Sequence, residues 1–283
     1  GVLHKPLGKE TTMAVIATNT AANTALVYLQ RNSDDQAQSL AKISSGSRIV
    51  RASDDAAGLA VGTALRADVG VLKQAGVNAS NAIAILSVAD GGLAQISDIL
   101  ERAKVLAGQS ASGTVSDTER AFIDSEYQAL IAEVNAIETA VTFNGDSLLD
   151  AGFNFNVLVG ANAADIIALD LSGVDADATA IGFAGDVTTN ANAVTALGAV
   201  EGAINAIVAD RAVVGALQSR FGFREQVIAA GVDNTANAAS SILDADIAAE
   251  QTNLTNKRVL TEAAIAGLSQ ANQLTESFLA LLR

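Results

Sequence analysis

Residues 260–283, LTEAAIAGLSQANQLTESFLALLR, place Leu260, Ala264, Leu268, Ala271, Leu274, Phe278 and Leu281 at steps of three and four. A repeat averaging about 3.5 residues marks a helix with a single apolar seam. Near the other end, ANTALVYLQRNSDDQAQSLAKI (22–43) behaves alike through Ala22, Leu26, Leu29, Ala37, Leu40 and Ile43. Stripes of Leu and Ala bordered by Gln, Asn, Ser and Thr gain little alone, because helices in water depend on packing such a face. Both chain ends therefore read as assembly elements. The seam expected to be covered consists of Leu26, Leu29, Leu40, Ile43, Leu260, Leu268, Leu274, Phe278 and Leu281.

Composition agrees with seams rather than pockets. Of 283 residues 50% are hydrophobic but only 4% aromatic, so the apolar material is small and aliphatic. Such side chains let helices approach closely, whereas small-molecule pockets favour aromatic walls with convergent polar groups. A net charge of -14 lacks the basic footprint that phosphate neutralisation requires, which argues against nucleic acid and anionic membranes as partners. With no cysteine, disulfides, thiolate nucleophiles and most structural zinc sites are excluded. No uninterrupted apolar run reaches bilayer length and no basic segment leads into an apolar one, so no membrane insertion is expected and export would use a route other than a cleaved signal peptide. Residues 1–12 hold the only His (His4) and the only Pro (Pro6), and the only Met follows at Met13. They read as an added or unprocessed extension, with Met13 as the native start.

The period along the chain predicts a mainly α protein: a long coiled-coil-like helical bundle formed by both chain ends, with a small β-hairpin region in the middle. A helix over about Asn19 to Ile43 should stop at Gly46, a residue suited to a left-handed cap. A second should start near Ser53-Asp54-Asp55, whose carboxylates complement the positive end of the helix dipole rather than form a catalytic pair. Within it Leu86, Leu93 and Leu100 recur every seven residues, with Ala89, Ile96 and Ala103 between them. Gly91-Gly92 predicts a bend or a close helix contact. Ser116 and Glu119 have capping-box spacing ahead of a third helix carrying Ile123, Tyr127, Leu130, Val134, Ile137 and Val141. Phe153–Val159 and Ile166–Leu171 read as paired strands. Residues 174–192 read as a solvated loop, in which Asp175 and Asp177 lack the further ligands and glycine of a calcium site. Helical period returns near Ala193, with turns expected near Gly231 and Asp233.

Several of these segments together resemble a bacterial flagellin. Ile43-Ser44-Ser45-Gly46-Ser47-Arg48-Ile49, followed by Ala52-Ser53-Asp54-Asp55-Ala56-Ala57-Gly58-Leu59-Ala60, resembles the family's amino-terminal signature. Gln218-Ser219-Arg220-Phe221, Ile242-Leu243-Asp244-Ala245-Asp246-Ile247-Ala248-Ala249-Glu250, Gln270-Ala271-Asn272-Gln273 and Leu281-Leu282-Arg283 resemble its carboxy-terminal ones. Departures are Ala17, where the family usually has Asn, and a very short middle.

The resemblance implies a structural subunit of the flagellar filament, exported unfolded and polymerised through its terminal helices for motility, outside the cell. Its domains would be 13–52 plus 244–283 for the inner tube, and 53–243 for a rod with a β-hairpin region around 150–192. The implied partners are further copies of the chain, the flagellar export chaperone and type III export apparatus, and the hook-associated and cap proteins. A Toll-like receptor is a further implied partner, with Arg102, Leu106 and Glu126 at matching places and Lys104 and Val105 where the family has Arg and Glu. No Cys, a lone His outside the expected fold and no His-Glu-x-x-His motif argue against an enzyme, a cofactor or a metal. The alternative is a cell-surface adhesive or carbohydrate-binding protein on the same frame, using the 174–192 loop with Phe183 as its one aromatic.

Overall fold

The structure is a computed structural model that describes residues 18–281, with side chains described through residue 277. Residues 1–12, Met13 and Ala17 lie outside the described residues, as do the side chains of Phe278 and Leu281. The described part is mainly helical: α1 (Thr20–Ser45), α2 (Ala56–Ser110), α3 (Asp117–Ala140), α4 (Asn190–Leu243) and α5 (Ile247–Leu281). Between α3 and α4 lie β1 (Thr142–Phe143), β2 (Asp146–Ser147), β3 (Asn154–Leu158) and β4 (Ile166–Asp170), paired antiparallel as β1–β2 and β3–β4. The chain divides into two compact units, Leu65–Asn237 and the residues on either side of it; α2 and α4 contribute to both.

In the central unit α2 is the spine. Ala79, Leu86, Ala89, Leu93, Ile96, Leu100, Ala103 and Ala107 are all 0% exposed, at steps of three, four and seven. The heptad read from the sequence is thus a core seam. Helix α3 runs antiparallel to α2, linked by Arg102–Glu126 near one end and by Gly92 against Val141 near the other. Helix α4 also runs antiparallel to α2, as Arg211–Asp90 and Lys104–Glu201 show. Ser116 caps α3: its hydroxyl accepts from the Glu119 amide at 3.4 Å while the Glu119 carboxylate accepts from the Ser116 amide at 2.8 Å. The strand pairing β3–β4 runs from Asn154↔Asp170 to Leu158↔Ile166, as the sequence led us to expect.

One expectation is decided between its two alternatives, and three need correction. Helix α2 shows no break at Gly91-Gly92; a Cβ on Gly92 would lie 2.7 Å from Val141 Cγ2, so the glycine permits a close approach. Helix α4 runs through Gly231 and Asp233 without a turn. Residues 174–192 are not a solvated loop: Val174, Ala176, Ala178, Ile181, Phe183 and Val187 are buried. Their backbone is held by side chains of α3, with Asn135 Oδ1 accepting from the Ala178 amide and Asp124 Oδ1 from the Val187 amide, both at 2.9 Å. Finally, α2 and α4 each contain a stretch long and apolar enough to cross a bilayer, a composition that here serves buried seams.

Candidate functional site

Helix α1 starts and stops where its residues dictate. The Asn19 side chain accepts from the Ala22 amide, and Gly46 takes φ 67°, a left-handed value that costs an L side chain energy. The chain then meets its other end. Gly46 O accepts from the Ala245 amide at 3.0 Å, the Arg48 amide donates to Leu243 O at 2.7 Å, and the Arg48 guanidinium reaches Ile242 O through Nε and Nη2 at 3.0 and 2.7 Å. Ser47 Oγ bonds Leu243 O at 3.0 Å. The two segments singled out in the sequence, 43–49 and 242–250, thus bind each other through backbone atoms and the side chains of Ser47 and Arg48.

Asp54 secures the same corner, accepting from the Val50 and Arg51 amides at 3.1 and 2.9 Å. Those bonds, that from Arg51 foremost, hold its carboxyl below the usual range. Asp55 Oδ1 accepts from the Gly58 amide at 2.8 Å at the start of α2. Both carboxylates therefore do structural work.

Beyond this corner α1 and α5 pair antiparallel. Lys257 Nζ bonds Asp35 at 2.6 Å, and Asn19 Nδ2 donates to Ala271 O at 3.0 Å at the far end. At about 1.5 Å per residue, α1 spans roughly 39 Å. The residues turned inward are buried or half-buried at Ala22, Ala25, Leu29, Asn32, Gln36, Ser39 and Ile43 on α1. On α5 they are Glu250, Leu254, Lys257, Thr261, Ala264, Leu268, Ala271 and Thr275. Both sets keep the 3-4 alternation of a coiled coil, yet much of the seam is polar.

The outside of the pair also carries large apolar residues. Leu26 is 48% exposed, Leu40 53%, Leu260 49% and Leu274 52%. Of the predicted seam, then, Leu29, Ile43 and Leu268 face inward, and these four face outward. Sequence reading missed Val27, Tyr28, Val259 and Ile265, which are likewise exposed. Their signal was present as an apolar stripe broader than one seam, which a search for one heptad discards.

In the central unit Arg102 and Glu126 pair with each other, at 2.8 Å from Nε and 2.6 Å from Nη2 to Glu126 Oε1. Leu106 is 2% exposed and belongs to the core, so it offers no surface for a partner. Phe183 is fully buried, edge-on to Tyr127 with ring centroids 5.3 Å apart, and supplies no platform for a sugar. Burial pushes the Tyr127 hydroxyl up to about 12. Among the described residues no three His, Cys, Asp or Glu side chains gather as metal ligands.

The chain matches two family models, the bacterial flagellin N-terminal helical region over residues 16–154 and the bacterial flagellin C-terminal helical region over 197–282. It is 35% identical over 248 residues to a flagellin of Halalkalibacterium halodurans, covering 87% of this chain and 91% of that one. It is 34% identical over 286 residues to the flagellar filament 33 kDa core protein of Treponema phagedenis, covering 95% and 97%. Among solved structures, Bacillus cereus flagellin aligns over 53% of this chain and 88% of its own, at 27% identity and a TM-score of 0.49.

Proposed function

The chain belongs to the bacterial flagellin family, and on that premise we propose that its copies join through the outward apolar faces of α1 and α5. It is a structural subunit of the extracellular flagellar filament and not an enzyme. The observation that carries the assembly site is the large apolar side chains left open on the outside of the terminal pair, Leu26, Leu40, Leu260 and Leu274, while Asn32, Gln36 and Ser39 take up inward places. Covering a half-exposed leucine is worth roughly 1 kcal/mol, so four of these with Val27, Val259 and Ile265 offer several kcal/mol per subunit towards the cost of association.

In this reading the segments 13–52 and 244–283 line the inner tube and 53–243 form the rod. The subunit is exported unfolded through the flagellar type III apparatus with a chaperone, and it meets the hook-associated and cap proteins on assembly. Absence of cysteine suits that passage, because no disulfide has to be broken. A Toll-like receptor would read Arg102 and Glu126 without Leu106.

The test is seeded polymerisation followed by electron microscopy and sedimentation, comparing the parent chain with Leu260→Asp/Leu274→Asp. The parent should elongate, while the variant should keep its helical circular dichroism and stay soluble. Normal filaments from the variant would remove these faces from the assembly site.

A further inference from the structure

Asn144, alone among the asparagines of the chain, is followed by glycine. A following glycine leaves the peptide nitrogen open to the asparagine side chain, because no Cβ shields it. Both residues are exposed, and nothing lies within 4 Å of where a Cβ on Gly145 would stand. They form the two-residue turn between β1 and β2, with Phe143 opposite Asp146 and Thr142 opposite Ser147. In an unconstrained chain such a pair can close on itself. The Gly145 amide nitrogen loses its proton and bonds to Asn144 Cγ, the Cγ–Nδ2 bond breaks, and ammonia leaves with that proton. Water then opens the five-membered imide at one of its two carbonyls, giving aspartate by one route and isoaspartate by the other.

The turn decides whether that ring can close. Asn144 has φ 55° and Gly145 φ 97°, and positive φ at both central residues is the signature of type I′. Type I′ holds ψ of its first central residue at about +30°, which puts the Gly145 nitrogen on the far side of Cα from the Asn144 side chain. Ring closure needs the two on the same side, near the ψ of about -120° found at the first central position of type II′. The two turns differ by a flip of the Asn144–Gly145 peptide plane. Glycine follows that flip freely, since its φ passes between two values equally open to it. Asparagine does not rest there, because type II′ asks for glycine at the first position. The surroundings oppose the flip as well. Behind the pair the Leu148 amide donates to Val141 O at 3.0 Å, and Leu148 and Leu149 are fully buried.

We propose that Asn144–Gly145 is a site of spontaneous deamidation that the type I′ turn keeps shut, so that the chain is modified while unfolded and preserved once folded. This chemistry belongs to the single chain and does not depend on assembly. Its products bear on the fold. Isoaspartate adds a methylene to the main chain inside a turn with room for two residues, and both products place a new carboxylate beside Asp146 in a chain of net charge -14. A chain altered before folding therefore loses the β1–β2 pairing that leads into Leu148 and Leu149. Leu149 and Val141 both adjoin Gly92, so the disturbance reaches the close contact with α2.

The full chain is incubated at mildly alkaline pH, once folded and once in guanidinium chloride, and its peptides are followed by mass spectrometry for exchange of amide for carboxyl at each asparagine. In denaturant Asn144 should be the fastest to change, yielding both aspartate and isoaspartate. In the folded chain its rate should fall by roughly tenfold or more, since the ring-closing backbone is a strained one. Gly145→Ala supplies the conformational readout. Alanine is strained at φ 97° but at ease at the negative φ of type II′, so the turn should lose its hold while circular dichroism stays helical. The folded rate of this variant should then come within a few-fold of its own denatured rate. Equal rates at Asn144 in the folded and denatured parent would overturn the proposal, as would another asparagine outrunning it in denaturant. A folded Gly145→Ala chain that keeps the parent's full protection would count against the turn as the gate.

Discussion

The central and terminal units use the same sequence period to opposite effect. Along α2 of the central unit every third or fourth residue is apolar and buried, with Leu86, Leu93 and Leu100 at 0% exposure. In the α1–α5 pair the inward positions include Asn32, Gln36, Ser39, Lys257 and Thr261, while Leu26, Leu40, Leu260 and Leu274 look outward. A heptad therefore tells where a helix has an interface without telling whether its partner is in the same molecule. The central unit buries a continuous apolar core along α2, although Phe122, Phe223 and Val227 on its surface stay exposed. On the proposed assembly site, the terminal one is finished by neighbouring copies.

The largest way to break the comparison is to shorten one leucine in each unit. Leu93→Ala should cost about 2–5 kcal/mol of stability in a thermal or denaturant melt of the soluble chain, through lost burial and a residual cavity. Leu260→Ala should shift that melt by no more than about 0.5 kcal/mol, since surface changes are small, yet raise the critical concentration for assembly several-fold. Equal losses in the melt would erase the distinction between the units.

Adjacent glycines offer a sharper test inside the central unit. Gly92→Ala should destabilise by about 1–3 kcal/mol, because its Cβ would meet Val141 Cγ2 at 2.7 Å and Leu149 Cδ1 at 3.2 Å. Gly91→Ala should instead stabilise by about 0.5–1 kcal/mol: nothing lies within 4 Å of its Cβ, and alanine is the better helix former.

Asp210 is the polar exception in the central seam. It sits three residues after Ile207 and four before Val214, both fully buried. Burial, with help from the Asp175 carboxylate, pushes its carboxyl from 3.8 up to about 6. A raised acid favours the folded state most below the unfolded value and loses that contribution as pH rises from about 3.8 through about 6. Asp210→Asn should accordingly be neutral near pH 3.5 and more stable than the parent by about 1 kcal/mol at pH 7, the figure reduced for partial exposure. Melts at the two pH values measure it.

The smallest expected effect lies between the terminal helices themselves. Gln36→Leu should strengthen the α1–α5 pair by roughly 0.5–1 kcal/mol, seen as slower amide exchange in α1, because an apolar group would replace a polar one in the seam.

What the sequence made legible follows from how local the signal is. The start of α1 near Asn19, the Gly46 cap, the Ser116–Glu119 box and the 86–103 heptad are set by neighbours within one or two turns, and all stand as read. Residues 174–192 misled because Asp and Thr surround Val174, Ala176 and Ala178, whose burial depends on side chains 40 or more positions away, such as Asn135. Gly231 and Asp233 misled because tertiary packing overrides propensity: Gly231 sits where a Cβ would come 3.7 Å from Leu72, inside a helix held by its seam. The β1–β2 turn at Asn144-Gly145, both at positive φ, was signalled by its residue pair but not read as a hairpin. The terminal seam was half legible. Its leucines were found, but their division between inner and outer faces rests on polar residues that no search for apolar stripes would select.

The outward leucines can be tested one by one, because the chain lacks cysteine. Leu26→Cys, Leu40→Cys, Leu260→Cys and Leu274→Cys are labelled with a maleimide as soluble subunits and within assembled filaments. Rapid labelling in the subunit and at least tenfold slower labelling in the filament is the predicted result. Labelling at the same rate in intact filaments would show these faces still open to solvent, and would contradict the claim that neighbouring copies complete the terminal unit.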